Sequence, residues 1–251
     1  MDEGSVGIAT TAGVATVSFG HPKSNALPGP LLLRLAATFD DLAHRADVHG
    51  ILLQSVGTGA FCAGASFDEL LAVRTEDQGK TFFSGFAQLI LAMRRCPKPI
   101  VTRVHGKAAG GGVGIIAASD YVIATPNASI RLSELAIGIG PFVVGPVIER
   151  RVGSGAFAAM SLDAEWRDAL WAERHGLYAK VVDSAAALDH AAASAVTAMA
   201  ASNPEATSAL KRVFWEGTES WDSLLFERAA ISGRLVLSEF TRRAIEAFGK
   251  R

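Results

Sequence analysis

Two stretches of this sequence offer backbone, not side chains, to a reacting partner. "GKAAGGGVGIIAASD" (106–120) carries Gly110, Gly111 and Gly112 in a row and Gly114 two places on, directly after the apolar run "PIVTRV". "GTGAFCAGASFDEL" (57–70) also follows an apolar run and presents small residues ahead of a helical pattern. Small residues let a ligand approach the main chain, and three chemistries use that freedom. A phosphate-gripping loop needs Lys and then Ser or Thr after its glycines; no Lys follows here. A dinucleotide fingerprint comes nearer, since Gly112, Gly114 and Ala117 match G-x-G-x-x-A and Glu134 stands about 20 residues on. Its ribose-binding acid belongs at the end of the next strand, however, where "YVIAT" runs into Thr125, Pro126 and Asn127 without a carboxylate, and two strands precede the motif. The third chemistry is an oxyanion hole: two N–H groups, one from each loop, fixed where negative charge develops on a carbonyl oxygen. Glycines that merely permit tight strand-to-helix turns remain the alternative for either loop alone. The pair favours the oxyanion site.

The elements that must position these loops alternate along the first half of the chain. Short Val-, Ile- and Thr-rich runs bounded by Gly, Pro, Asn or Asp predict strands at 13–19, 50–56, 99–104, 121–125 and 128–132. Apolar residues at helical spacing, such as Leu31, Leu35, Phe39 and Leu42, predict helices at 30–46 and 79–96. That order is the one expected of an α/β fold. After about residue 140 the pattern turns helical, with predicted segments at 164–176, 184–202, 204–217 and 223–249.

Composition limits the partners. With 24 Lys and Arg against 25 Asp and Glu, and no basic block, a nucleic-acid footprint is not expected. Cys62 and Cys96 lack C-x-x-C spacing, so neither a disulfide framework nor a thiolate zinc site is expected. The six histidines show no i, i+4 pairing, and no metal is assigned; His105, nearest the glycine loop, reads as a packed or surface residue. No signal-like start or bilayer-length apolar run is seen, so the expectation is a soluble cytoplasmic protein that does not engage a membrane.

The stretches "HPKSNAL", "AFCAGASFDEL" and "IVTRVHGKAAGGGVGIIAASDYVIATPNASIRLSELAIGIGP" resemble the crotonase superfamily, the enoyl-CoA hydratase and isomerase family, and the resemblance extends over nearly the whole chain. It implies a spiral of ββα turns over residues 1–195 and a helical region over 196–251 that builds homotrimers or dimers of trimers. It implies an acyl-CoA thioester substrate, with coenzyme A part of that substrate and no separate cofactor. By resemblance, the N–H groups of Ala63 and Gly111 are the oxyanion donors, and Lys23 lies near the CoA phosphates. Gly64, Ala65 and Ser66 run along the pantetheine and adenine, and Gly110, Gly114 and Pro141 belong to the substrate site. Phe248 and Lys250 correspond to residues that close a neighbouring subunit's adenine pocket. The acyl pocket is expected from 70–90 and 135–145, with Phe82, Phe83 and Phe142 in its lining.

Hydratase members of the family carry two glutamates that hold and deprotonate water and protonate C2. The second corresponds to Glu134; the first falls at position 114, which is Gly here. One carboxylate suffices to carry a proton between two carbons of an enolisable chain, so Δ3,Δ2-enoyl-CoA isomerisation stands beside 2-enoyl-CoA hydration. A catalytically inactive CoA-binding paralogue acting as a scaffold is the alternative, and a nicotinamide-dependent oxidoreductase a distant one. Ser66, where many relatives have Asp, reads as the start of a capping box in which Ser66 accepts from the N3 amide and Glu69 reaches back.

Overall fold

In the computed structural model, which describes residues 4–248, the β-rich runs join one six-stranded sheet. Its strands are β1 (Ser5–Thr11), β2 (Val14–Gly20), β3 (Gly50–Ser55), β4 (Ile100–Val104), β6 (Tyr121–Ala124) and β8 (Lys180–Val181), in the order β1-β2-β3-β4-β6-β8. β5 (Ala108–Ala109) and β7 (Ile130–Arg131) form a second, small sheet. β1 is antiparallel to β2, and every later pair is parallel, with Val17 opposite Leu53, Leu53 opposite Thr102 and Thr102 opposite Val122.

The connections wind as a spiral. After each long strand the chain touches the previous turn once more in a short second ladder: Leu27 with Ala65, Cys62 with Ala108, Ala108 with Ile130, and Ile130 with Arg167. A helical segment then returns it to the sheet, as parallel strands require. These segments are α1 (Gly29–His44), α2 (Phe67–Ala72), α3 (Glu76–Arg95), α4 (Gly111–Ala118), a single 3-10 turn at Leu135–Ile137, α5 (Gly145–Val152), α6 (Ser154–Asp163) and α7 (Ala169–Arg174). The expected spiral of ββα turns is therefore present. α1 and α3 bury Leu31, Leu35, Phe39, Phe86, Leu89 and Met93 in the main core. On the other side of the sheet, α8 (Ala185–Ala200) packs Leu188, Ala192 and Val196 against Val101 and Ile123.

The remaining helices are α9 (Pro204–Phe214), α10 (Trp221–Leu235) and α11 (Glu239–Phe248). α10 lies along α3, and α11 touches α2 and the 3-10 turn of its own chain. Trp215, Trp221, Leu225, Val236 and Ile245 join the main core. A division at residue 195 would cut through α8, which is one continuous helix on the sheet. No helix among the described residues is long and apolar enough to cross a membrane.

Four departures from the expected elements have local causes. β1 was not anticipated because it is an edge strand exposed along almost its whole length, so no buried face imposes an apolar alternation. The strand expected at 128–132 shortens to two residues. The helix expected at 164–176 starts only at Ala169: Arg167 is held in a bridge to Ile130, and the Asp168 carboxylate accepts from the Trp171 amide at 2.6 Å, which caps α7. The single helix expected at 223–249 is two, because the Ser238 hydroxyl accepts from the Thr241 amide at 3.2 Å and caps α11 afresh.

A buried ion pair ties the C-terminal helices to the strand that leads into the glycine loop. Lys211 of α9, 4% exposed, places Nζ 2.8 Å from Asp120 Oδ2. The ammonium also donates to the Lys98 carbonyl at 2.8 Å, and Asp120 accepts from the Ile100 amide at 2.8 Å. Removing the cation strands a buried carboxylate at the entry to β4. Lys211→Ala should lower the unfolding free energy by about 3–5 kcal/mol, read as a reduced midpoint in urea.

Candidate active site

A narrow pocket with about 60 Å³ of free volume opens where the two glycine-bearing loops meet. Ala63, Gly64 and Ala65 form one edge, Gly110 and Gly111 another, and Ser133, Glu134 and Ile137 a third. Phe67, Leu70, Phe83, Phe86, Val143 and Val144 supply an apolar lining, and Ser232 of α10 completes it.

The two loops approach within packing distance through residues without side chains. Gly64 adopts φ +88°, and a Cβ there would lie 2.8 Å from the Ala109 carbonyl oxygen and 3.5 Å from the Gly111 nitrogen. Gly110, at φ +50°, caps α4, and a Cβ there would lie 3.0 Å from Glu134 Oε1. Both positions combine a left-handed backbone with close approach, which glycine tolerates.

The expected donor Ala63 is not free. Its N–H donates to the Ser24 carbonyl at 3.0 Å, so it holds the first turn of the spiral to the second. The Gly64 N–H is directed to Cys62 Sγ at 3.4 Å. Ala65 and Gly111, both on the pocket wall, are the loop residues whose amides donate to no acceptor among the described residues. The unbonded amides on this wall are therefore those of Ala65 and Gly111, and Ala63, the expected donor, is engaged elsewhere. Gly111 is the first residue of α4, whose initial N–H groups lack intrahelical partners and carry the positive end of the helix dipole.

Glu134 enters the pocket from the segment before the 3-10 turn. Its Oε2 is buried and has no hydrogen-bond partner. Burial pushes its carboxyl up to about 7, only partly opposed by the backbone amides of Glu134 and Ser133. Glu134 is the one carboxylate in the pocket wall among the described residues. No group of three or more His, Cys, Asp or Glu among them could hold a metal ion.

Several expected residues stand elsewhere. Gly114 does not line the pocket: a Cβ there would meet Val144 Cγ1 at 2.5 Å, so the space a glutamate would need is filled by a valine from the N-terminal side of α5. Gly112 faces Cys62 in the same way, so the glycines of the G-x-G-x-x-A run serve close packing of α4. Pro141 is absent from the lining, whereas its neighbours Gly140 and Val143 are in it. Phe83 lines the pocket as expected; Phe82 faces a groove between α1 and α3, and the Phe142 ring packs over Gly140. Lys23 is exposed and pairs with Asp68, beside Phe67 of the pocket wall. Ser66 caps α2 by accepting from the Glu69 amide at 3.5 Å, but Glu69 does not reach back; it accepts from the Gly29 amide at 2.7 Å and so ties α2 to the start of α1. His105 lies outside the pocket, with neither ring nitrogen hydrogen-bonded. Phe248 is the last residue of α11, and Lys250 lies outside the described residues.

Phe86 and Val144 fall within the expected ranges 70–90 and 135–145 without being singled out there, and Ser232 was missed altogether. Phe86 was legible as an apolar position of α3, but nothing in the chain marks which apolar positions face a cavity.

The profile of the enoyl-CoA hydratase/isomerase family matches residues 9–234. Among relatives, a Bacillus subtilis (strain 168) protein named "Probable enoyl-CoA hydratase" is 27% identical over 247 residues, spanning 97% of this chain and 95% of that one. A short-chain-enoyl-CoA hydratase of Clostridium acetobutylicum is 30% identical over 172 residues, 68% of this chain and 66% of its own. The crystal structure of an enoyl-CoA hydratase from Mycobacterium avium superposes with a TM-score of 0.86 at 27% identity, covering 98% of this chain and 96% of that one.

The Gly114–Val144 contact is testable by stability alone. Gly114→Ala should destabilise the protein by about 1–3 kcal/mol through overpacking, despite the gain in helix propensity of roughly 0.5–1 kcal/mol. Combining it with Val144→Ala should recover most of the loss in chemical denaturation.

Proposed function

The chain belongs to the enoyl-CoA hydratase/isomerase family, and from that premise we propose that it is a Δ3,Δ2-enoyl-CoA isomerase, a one-carboxylate enzyme working through a thioester dienolate. The observation that carries this reading is the solitary Glu134, unpartnered at Oε2, in a pocket edged by two free amides. With the thioester oxygen between the N–H groups of Ala65 and Gly111, the carboxylate removes a proton from C2 of a 3-enoyl-CoA. Charge develops on the thioester oxygen, where the fixed donors stabilise it. The protonated carboxyl then returns the proton to C4, and the double bond stands between C2 and C3. No water is consumed, and the apolar lining keeps water from competing for the proton. The exposed apolar face of α9, formed by Leu210, Val213 and Phe214, supports the homotrimers or dimers of trimers implied by the family resemblance.

Hydration of 2-enoyl-CoA is the second reading, favoured by the activity for which the Clostridium relative is named. It requires a group to hold the water in place of the absent second glutamate, and Ser133 is the nearest polar side chain in the pocket wall by sequence.

A single assay set tests the proposal. Wild type should shift the double bond of 3-enoyl-CoA faster than it hydrates 2-enoyl-CoA; the reverse order would establish hydration. A base must be ionised to accept the proton, so with the carboxyl near 7 kcat/KM should rise as pH increases through about 7 and level off above it. Glu134→Gln should abolish turnover and that pH limb together. An inactive scaffold would bind acyl-CoA and turn over neither substrate.

The donor assignment makes a separate prediction. Ala65→Pro, which deletes the N–H, should cost about 10²–10³ in kcat with near-native circular dichroism. Ala63→Pro instead removes the bond to Ser24, and its main effect should be on folding stability.

A further inference from the structure

The pocket wall remote from Glu134 is not wholly apolar. Ser232 of α10 lines the same pocket, is 1% exposed, and its hydroxyl makes no hydrogen bond among the described residues. Several other buried hydroxyls near helices satisfy themselves locally: Thr38 donates to the Arg34 carbonyl at 2.8 Å, Ser119 to Ile115 at 3.0 Å and Thr218 to Trp215 at 2.6 Å. Ser232 forgoes the equivalent bond. An unpartnered hydroxyl facing an apolar pocket costs free energy that alanine would avoid, so a ligand group that pairs with it repays the placement.

Its location along the pocket follows from the crossing of α10 and α3. The next residue, Gly233, touches α3 at Gly79, where an added Cβ would lie 2.6 Å from Gly233 Cα. Phe83 and Phe86, further along α3, line the pocket, and Phe86 packs directly on Gly111, at the reacting end. Gly79 and Phe86 are about 10 Å apart along the helix axis at 1.5 Å per residue. Ser232 therefore stands at the end of the pocket away from the oxyanion donors, where the tail of an acyl chain lies.

We propose that Ser232 hydrogen-bonds an oxygen carried by the acyl tail, so that the preferred substrates are acyl-CoA thioesters with a carbonyl or hydroxyl group on their distal carbons. The inference rests on the acyl-CoA reading of the pocket and adds the chemistry of the tail. A hydroxyl both donates and accepts, so it serves either group, whereas an unsubstituted alkyl tail leaves it unpaired.

The test compares unsubstituted hexenoyl-, octenoyl- and decenoyl-CoA with counterparts bearing an oxo group on the penultimate carbon. It measures kcat/KM on the enoyl esters and, independently of turnover, the Kd of the corresponding saturated esters by calorimetry. At the best-fitting length, wild type should favour the oxo ester by roughly tenfold, the order expected of one added hydrogen bond. Ser232→Ala should bring the oxo-to-alkyl ratio towards one. Equal handling of oxo and alkyl esters by wild type at every length overturns the proposal, as does a preference that survives in Ser232→Ala. Turnover without discrimination sinks the tail assignment and leaves the isomerase reading intact. Discrimination in Kd without turnover does the opposite.

Discussion

Glu134 holds a carboxyl group in surroundings that oppose its ionisation, and the arrangement of the pocket depends on that conflict. One oxygen has no partner and burial lifts the group to about 7. Folding gains nothing from such a carboxylate: the unfolded chain ionises it at ordinary acidity, and the folded chain resists until near neutrality, so its contribution to stability falls as pH rises through that window. A proton carrier benefits from the same placement, because a group poised near neutrality both accepts and returns a proton readily. The apolar walls from α3, the 3-10 turn and the segment leading into α5 create that placement, and Gly110 leaves the room in which the carboxylate sits.

The spiral supplies the complementary half. Each turn adds a strand to the long sheet and one short contact to the second ladder, so loops distant in sequence lie side by side: Cys62 against Ala108, and Ala108 against Ile130. Within the 62–66 loop, successive amides have different duties. Ala63 is spent on Ser24, Gly64 turns the chain at φ +88°, and the Ala65 amide does not follow Ala63 towards the first turn. The structural bond and the free donor are thus separated by one glycine, which explains why adjacent small residues resist assignment by type.

The vacancy left by a missing glutamate is also not what composition suggests. Gly114 looks like added room in the active site, yet Val144 occupies it, and the pair is one packing unit contributed by α4 and the start of α5. Glu69 makes a similar point. Its spacing from Ser66 is right for a reciprocal cap, but the nearby Gly29 amide at the start of α1 offers a partner that only the folded chain brings within reach. Local rules identified the correct residue types, and long-range neighbours chose the partners.

Much of this protein is legible in the chain because it depends on short-range regularities. The parallel strands β2, β3, β4 and β6 announce themselves as β-branched runs between breakers, the long helices α1, α3, α8 and α9 as periodic patterns, and the pair of glycine loops as a place where backbone meets a ligand. Glu134 and Gly111 were expected at the site only through family resemblance, since neither residue type alone distinguishes a catalytic group from a surface acid or a turn glycine. Tertiary structure alone decided which amides stay unbonded, that Val144 seals position 114, that β1 takes the sheet edge, and that α10 brings Ser232 into the pocket of a site built in a distant part of the chain. Periodicity tells which face of an element is buried, but not what it is buried against; that depends on how the spiral stacks its turns, and chemistry at this site lies in those contacts.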